Sequence, residues 1–242
     1  MKRINIIILI GLLIFNCDNS PGKILEKGDK YIAESEIERA LKSYEKIIDK
    51  FPDDSLAQTA LYNIAWIELE NKNNYSEGLK LLTEIAEKYS DTEIVKSANE
   101  DIKSFPKWLM IKSTELRNDA TANEAIGTIE YLIREFNDHP IIPEALYLKA
   151  NIYLNDKKDF YRALNTYQEI IYKYKGSSFE PMSQFMIGYI YANVQPDLPK
   201  ARAAYQTFLE KYPEHELAPS VQFELEYLGK QINNIDELSS KN

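Results

Sequence analysis

Residues that commonly carry enzymatic chemistry are few in this chain, which has two histidines and one cysteine among 242 residues. Patterns that support nucleophilic, zinc-dependent or phosphate-binding sites, such as Ser-His-Asp, HExxH, GxxxxGKS/T, GxGxxG and CxxC, are absent. His139 and His215 lie far apart in the sequence, and Glu34, Glu36 and Glu38, which crowd one turn, are typical of a solvated face. We therefore expect a protein that is not an enzyme and that binds no metal or cofactor.

The single cysteine, Cys17, lies where a short apolar segment ends. That segment runs from residue 4 to residue 15 and follows Lys2 and Arg3. About a dozen apolar residues are too few to cross a bilayer as a helix, which takes about 20, but they suit the core of a signal peptide. The segment resembles a bacterial lipoprotein signal, with Asn16 where that pattern prefers a small residue. The resemblance predicts a signal peptide over residues 1–16, lipidation of Cys17 and a linker over 17–21; an uncleaved anchor or an ordinary signal peptide is the alternative.

The charge balance bears on the partners of the chain. It has 38 acidic and 29 basic residues, which gives a net charge of −9. Proteins that bind nucleic acid need a basic face to neutralise phosphates. We therefore expect no nucleic acid partner.

A fifteen-residue pattern recurs along the chain and predicts a repeat protein. Its copies begin at Ala40, Gly78, Ala125, Ala163 and Ala201, in steps of 38, 47, 38 and 38 residues. Within each copy, apolar residues fall on one face of an α-helix. A second helix lies between successive copies, so each unit is a helical hairpin. Neither helix can bury its apolar stripe alone, and the hairpins must therefore stack. We expect N-caps at Ser35, Asn74, Thr121, Asp159 and Asp197.

These residues resemble the tetratricopeptide repeat, which has a small residue, an aromatic residue, Ala, a second aromatic residue and Pro at fixed intervals. The first unit supplies Gly28, Tyr31, Ala40, Tyr44 and Pro52, and later units add one residue to the turn between the two helices. The resemblance implies an all-α fold, a superhelix of about five helical hairpins with a C-terminal capping helix. The predicted array spans residues 22–235, in units 22–52, 53–90, 91–137, 138–175 and 176–213 with a cap at 214–235, before a disordered tail at 236–242.

The third unit is irregular because its step is nine residues longer than the others. The extra residues fall around Pro106. The first helix of this unit is therefore either long and kinked at Pro106 or split in two. The insertion is either tolerated or marks a place where the superhelix changes direction or receives a partner.

In tetratricopeptide arrays the first helix of each hairpin lines the concave surface, and the resemblance implies a partner-binding groove there. The matching residues are Tyr62, Trp66, Tyr147, Asn151, Phe185, Tyr189, Asn193, Phe223 and Tyr227. Tyr and Trp are typical anchors of protein interfaces. The alternative is that these rings pack between adjacent helices, with Tyr62, Tyr147, Phe185 and Phe223 expected to be more buried than the others.

A lipid anchor followed by five such repeats resembles the BamD family of outer-membrane assembly lipoproteins. The resemblance implies a scaffold on the periplasmic face of the outer membrane. Its partners would be envelope proteins and extended peptide segments. Two alternatives stay open: a lipoprotein that captures a peptide or glycan for a transporter, and an envelope coordination protein of the Tol–Pal type.

Overall fold

The computed structural model describes residues 19–90 and 92–229, and this part of the chain folds into eleven α-helices without a β-strand. The predicted signal peptide, Cys17 and the predicted tail lie outside the described residues. None of the described helices combines the length and apolar character needed to cross a membrane. The helices are α1 Pro21–Ala33, α2 Ile37–Lys50, α3 Ser55–Glu70, α4 Tyr75–Lys88, α5 Glu93–Asn118, α6 Ala122–Glu135, α7 Ile142–Asn151, α8 Phe160–Lys173, α9 Phe179–Tyr189, α10 Leu198–Lys211 and α11 Ala218–Tyr227.

Helices α1 to α4 and helices α6 to α11 each pack against the next helix in the chain, which confirms the predicted all-α repeat architecture. The odd-numbered helices are here called A helices and the even-numbered ones B helices. Each B helix buries the residues of the recurring pattern; α2, for example, buries Ala40, Leu41, Tyr44 and Ile47. B helices also contact the next A helix along the chain, as α2 contacts α3 and α10 contacts α11. The apolar stripes are therefore covered by neighbouring hairpins, as expected for a repeat array.

The described residues divide into two compact units, a first unit that ends at Phe105 and a second unit that begins at Pro106. The border lies within α5, which is one continuous helix with Pro106 inside it, so the first helix of the irregular repeat is long and not split. In the first unit, Ile24, Tyr44 and Ile47 belong to a buried core cluster. In the second unit, Tyr205, Phe208 and Val221 belong to another, which joins α10 to α11.

Four of the turns between an A helix and its B helix contain a residue in the left-handed region. These residues are Ser35 (φ 60°), Asn73 (φ 52°), Ala120 (φ 61°) and Lys158 (φ 54°). Their spacing repeats the steps of the sequence pattern. The fifth turn has Pro196 at the equivalent position, and the proline ring forbids a positive φ. The same backbone turn therefore connects the helices in four of the five hairpins.

The extra residue of the later repeats lies in a π-helical turn at the end of the A helix. Such turns occupy Ile152–Asp156 after α7 and Ile190–Val194 after α9. The amide of Lys157 donates to the carbonyl of Ile152 at 3.0 Å, and that of Gln195 donates to Ile190 at 2.8 Å. Both bonds skip one residue more than an α-helical bond, which is how a π-helical turn absorbs an insertion.

Four of the five predicted N-caps lie at the N-cap position, and two of these four cap their helix through the side chain. The prediction for Ser35 is wrong, because Glu36 is the N-cap of α2. The Asp159 and Asp197 side chains accept from the amides three residues later, at 3.0 and 3.1 Å. Ser35 instead lies in the left-handed turn before α2. The Asn74 amide donates to Glu68 at 2.9 Å, and the Thr121 hydroxyl donates to the carbonyl of residue 116 at 2.7 Å. The side chains of Asn74 and Thr121 therefore bond to the preceding A helix and make no capping bond to their own helix.

Candidate functional site

Three buried tyrosines occupy equivalent positions on the B helices and pack on a small residue of the A helix. Tyr44 and Tyr205 are at most 1% exposed. A Cβ atom added to Gly28 would lie 2.5 Å from the Tyr44 ring, and one added to Gly188 would lie 2.3 Å from the Tyr205 ring. Glycine is therefore needed at both positions for the ring to lie flat on the neighbouring backbone. Tyr167 is the third member and is also fully buried.

The hydroxyl groups of these tyrosines point to the residue that follows the small residue on the A helix. Tyr44 donates to Asp29 Oδ1 at 2.7 Å, and Tyr167 donates to Asn151 Oδ1 at 2.8 Å. In the last hairpin the equivalent residue is Tyr189, and the Tyr205 hydroxyl has no hydrogen-bond partner among the described residues. The first and fourth hairpins thus provide an acceptor for the tyrosine hydroxyl, and the last hairpin does not.

On α3, Tyr62 and Trp66 belong to a group that we call the N-terminal polar patch, which also includes Asp29, Asn63 and Asp101. The two rings meet edge to face with their centroids 6.4 Å apart. The Tyr62 hydroxyl donates to Asp101 Oδ2 at 2.6 Å, and the Asn63 amide donates to Asp29 Oδ1 at 3.4 Å. Tyr62 is buried and Trp66 is half-buried, so only part of this patch faces solvent.

Burial sets the electrostatics of the two carboxylates in this patch. Desolvation raises the pKa of Asp29 above its ordinary value, although the hydrogen bond from Tyr44 lowers it in part. Desolvation likewise raises the pKa of Asp101, against hydrogen bonds from Tyr62 and Trp66. The patch therefore holds carboxylates that lose solvation without gaining a cationic partner.

Tyr147 and Asn151, on α7, are engaged within the second unit. The Tyr147 ring lies 5.6 Å from the Tyr167 ring and 5.4 Å from the Phe179 ring, measured between centroids. Burial raises the pKa of Tyr147, and Asn151 partly offsets the effect. The Asn151 carbonyl oxygen accepts from Tyr167, so the structure uses this side chain to hold the A and B helices together.

Phe185, Tyr189, Phe223 and Tyr227 form what we call the C-terminal aromatic patch. Tyr189 is 37% exposed and Phe223 is 44% exposed. The expectation that Phe223 is more buried than Tyr227 is wrong, since Tyr227 is half-buried and α11 is the last described helix, so no further described helix covers Phe223. The rings of Phe223 and Tyr227 lie 4.5 Å apart, and those of Phe185 and Tyr189 lie 6.5 Å apart. Asn193 is exposed nearby in sequence, and its amide donates to the Tyr189 carbonyl at 3.3 Å.

The structure therefore places the nine predicted site residues in two separate units. Tyr62 and Trp66 lie in the first unit and the other seven lie in the second. Their role in partner binding stays a prediction. Sequence reasoning missed Asp29, Asp101 and the open hydroxyl of Tyr205. The signal for Asp29 was present, because it follows its small residue directly, as Asn151 does.

A cleft of about 710 Å³ in the second unit lies at the turns of the fourth and fifth hairpins. Its cations are largely engaged within the protein. The Lys200 ammonium lies 2.7 Å from Asp197, and Lys157 donates to Asn123 at 2.8 Å. Residues lining the cleft include Lys157, Lys158, Tyr161, Tyr191 and Lys200.

Both histidines have the same structural role, in turns that lead into an A helix. His139 Nδ1 accepts from the amide of Ile141 at 3.2 Å, and His215 Nδ1 accepts from the amide of Leu217 at 3.1 Å. Over residues 19–90 and 92–229, no group of three or more His, Cys, Asp and Glu side chains is arranged to hold a metal ion.

Family models agree with this repeat architecture. Two family models, both described as tetratricopeptide repeat, match residues 25–91 in one case and residues 144–177 and 182–215 in the other. A crystal structure of a tetratricopeptide repeat protein from Parabacteroides merdae is similar at 13% identity and a TM-score of 0.38, over 86% of this chain and 73% of that one. No curated protein sequence matches significantly. Because the matched repeats cover more than half of the chain and coincide with the observed hairpins, this protein belongs to the tetratricopeptide repeat family.

Proposed function

We propose that this protein is a lipid-anchored scaffold of the bacterial cell envelope that binds protein partners through its A helices. Tetratricopeptide repeats generally bind proteins or peptide segments and are generally not catalytic. The observation that carries the proposal is the exposure of Tyr189 and Phe223 on A helices, at 37% and 44%. Exposed aromatic side chains of this kind are the usual anchors of protein interfaces.

The finer proposal is a role in outer-membrane protein assembly, like that of the BamD family. It is supported by the lipoprotein-like start of the sequence together with the repeat array. The two features support the same role, because an anchor at Cys17 would hold the interaction surface of the repeats beside the membrane. Two or three acyl chains bind a membrane far more stably than one.

Mass spectrometry of the purified mature protein tests the anchor. We expect the first residue to be an acylated Cys17, and we expect Cys17→Ser to move the protein from the membrane fraction to the soluble fraction. An intact residue 1 with an unmodified thiol in the wild type would rule out the lipoprotein proposal. That result would leave the interaction proposal standing.

Site-specific photo-crosslinking in intact cells tests the interaction surface. A photoreactive phenylalanine analogue replaces Tyr189 or Phe223 in turn, and Tyr172 serves as the matched control because it is 79% exposed on the B helix α8. We expect specific envelope proteins to be captured from positions 189 and 223 and not from 172. Equal capture from all three positions, or none, would contradict the assignment.

A second candidate function is the capture of a glycan for a transporter. The adjacent and partly exposed rings of Phe223 and Tyr227 favour it, because such rings also bind the apolar faces of sugars. Calorimetric titration of the protein with glycans and with extended peptides separates the candidates. Binding of a glycan alone would support capture, and binding of a peptide alone would support the scaffold. An envelope coordination role of the Tol–Pal type would appear as a different set of crosslinked proteins.

A further inference from the structure

The open hydroxyl of Tyr205 marks a difference between otherwise equivalent hairpins. In the first and fourth hairpins the matching hydroxyl donates to Asp29 or Asn151, at 2.7 and 2.8 Å. The last hairpin has Tyr189 at that position, and the fully buried Tyr205 hydroxyl finds no acceptor among the described residues. A buried donor without an acceptor costs free energy, so native structures rarely leave one unsatisfied.

The surroundings of this hydroxyl connect it to the C-terminal aromatic patch. The Tyr205 ring lies 6.2 Å from the ring of Phe185, which in turn lies 6.5 Å from Tyr189. Burial raises the pKa of Tyr205, and the charge of Glu224 on α11 raises it further, with a smaller effect of Tyr189. The Tyr205 ring therefore lies in a buried cluster with Val221 of α11, and Phe185 of the patch packs against that cluster.

We infer that the Tyr205 hydroxyl is a recognition group that donates a hydrogen bond to a backbone carbonyl of an extended peptide bound on the C-terminal aromatic patch. This inference rests on the proposed function and specifies its ligand. The last hairpin has Tyr189 where the first and fourth hairpins have Asp29 and Asn151. It therefore lacks the internal acceptor and has an additional ring beside the hydroxyl. The peptide supplies the acceptor that the other hairpins carry themselves.

The chemistry of the patch selects the kind of peptide. Glu224 and the net charge of −9 disfavour a carboxylate or phosphate at the hydroxyl, which leaves a neutral carbonyl as the acceptor. Alternate side chains of an extended strand lie on one side at intervals of about 7 Å. This interval matches the 6.5 Å between the Phe185 and Tyr189 rings. Aromatic or aliphatic side chains at every second position would therefore fit the patch.

The ligand gains access when the Tyr189 side chain changes rotamer. Tyr189 is the exposed member of the pair, and exposed side chains change rotamer within nanoseconds. Rotamer changes at interfaces are common even where the backbone stays fixed. Binding therefore requires no rearrangement of the hairpin.

Calorimetry with a neutral probe peptide, acetyl-Ser-Phe-Ser-Phe-Ser-Phe-Ser-amide, tests the inference on the full mature chain. We expect the wild type to bind it and Tyr205→Phe to bind about 3- to 10-fold more weakly, the effect of one hydrogen bond. Tyr167→Phe is the matched control, because it removes a hydroxyl that is already bonded to Asn151. We expect that variant to keep its affinity and to lose about 2–4 °C in Tm.

A variant that restores an internal acceptor for the Tyr205 hydroxyl provides a second test. Tyr189→Asn restores the acceptor found at Asn151, so we expect Tm to rise by about 2–4 °C and probe binding to be lost. Tyr189→Phe keeps the ring without an acceptor, and we expect it to bind the probe with little change.

Three results would overturn the inference. The first is a wild type that does not bind the probe. The second is a Tyr205→Phe variant with unchanged affinity and a lowered Tm, which would assign the hydroxyl to an internal water. The third is a Tyr189→Asn variant that binds like Tyr189→Phe. Crosslinking of envelope proteins at positions 189 and 223 tests the proposed function independently of these results. The proposed function can therefore hold even where the inference about the Tyr205 hydroxyl fails.

Discussion

At the scale of single residues, Asp29 and Asn151 do the same structural work with different chemistry. Each accepts a hydrogen bond from a buried tyrosine, but only Asp29 becomes charged. Its raised pKa means that the native state holds a proton more tightly than the unfolded state. The first unit is therefore more stable when Asp29 is protonated, and this contribution is lost as the pH rises through its native pKa.

We expect Asp29→Asn to raise the free energy of unfolding at neutral pH. The amide keeps an acceptor for Tyr44, as Asn151 does for Tyr167, and removes the cost of desolvating a charge. The gain should be a fraction of 1 kcal/mol, because Asp29 is only half-buried. It should shrink as the pH falls toward 3.8, the ordinary value for Asp, where the wild-type side chain is itself protonated in the native state.

Urea denaturation of wild type and variant from about pH 4 to about pH 8 measures this difference. The control is Asp49→Asn, which removes an exposed negative charge from α2 and corrects for the net charge of the chain. A constant difference between Asp29→Asn and this control across the pH range would contradict the prediction.

At the scale of elements, the turns within the hairpins hold strained residues. Ala120 has φ 61° and no side-chain group that can compensate. Non-glycine residues pay about 1–2 kcal/mol in this region, and glycine pays little. We expect Ala120→Gly to raise the free energy of unfolding by about 0.5–1 kcal/mol in chemical denaturation. Ala203→Gly, at an exposed position inside α10, should lower it by about 1 kcal/mol. Destabilisation by both glycines would contradict the prediction.

The elements also show what could be predicted from the sequence. The hairpins were predictable because apolar spacing and small residues recur, and packing follows directly from them. The extra residue before Asp159 could be counted, but whether it lies in a loop or in a π-helical turn depends on backbone bonds that no residue type specifies. Asn74 and Thr121 lie at the predicted N-cap positions, but their side chains bond to the preceding helix, whose acceptors come near only after the chain has turned.

The same reasoning explains the partial prediction of the site. The exposed rings of Tyr189 and Phe223 lie on positions that the repeat pattern identifies. The open hydroxyl of Tyr205 does not follow from the pattern, because Tyr205 and Tyr167 have the same place in their repeats. The two tyrosines differ only in whether the neighbouring A helix offers their hydroxyl an acceptor.

At the scale of the whole molecule, repeat arrays depend on a terminal element that covers the last hairpin. α11 has this role in the second unit, where Val221 is fully buried against Tyr205 and Phe208. We expect Val221→Asp to destabilise the protein by about 3 kcal/mol or more, because it buries a charge without a partner. Gln222→Asp introduces the same group at an exposed position of the same helix.

Denaturation midpoints and binding of a hydrophobic dye compare these two variants. We expect Val221→Asp alone to bind the dye, because loss of α11 uncovers the apolar face of α10. Equal midpoints for the two variants would show that α11 does not cap the array.

The contact between Gly188 and Tyr205 has a consequence for how this protein can change over generations. The Tyr205 ring packs α10 against α9 and also carries the hydroxyl group offered to the ligand. A methyl group at Gly188 would push that ring aside and would alter fit and recognition in a single step. Natural variation therefore cannot adjust the one without disturbing the other.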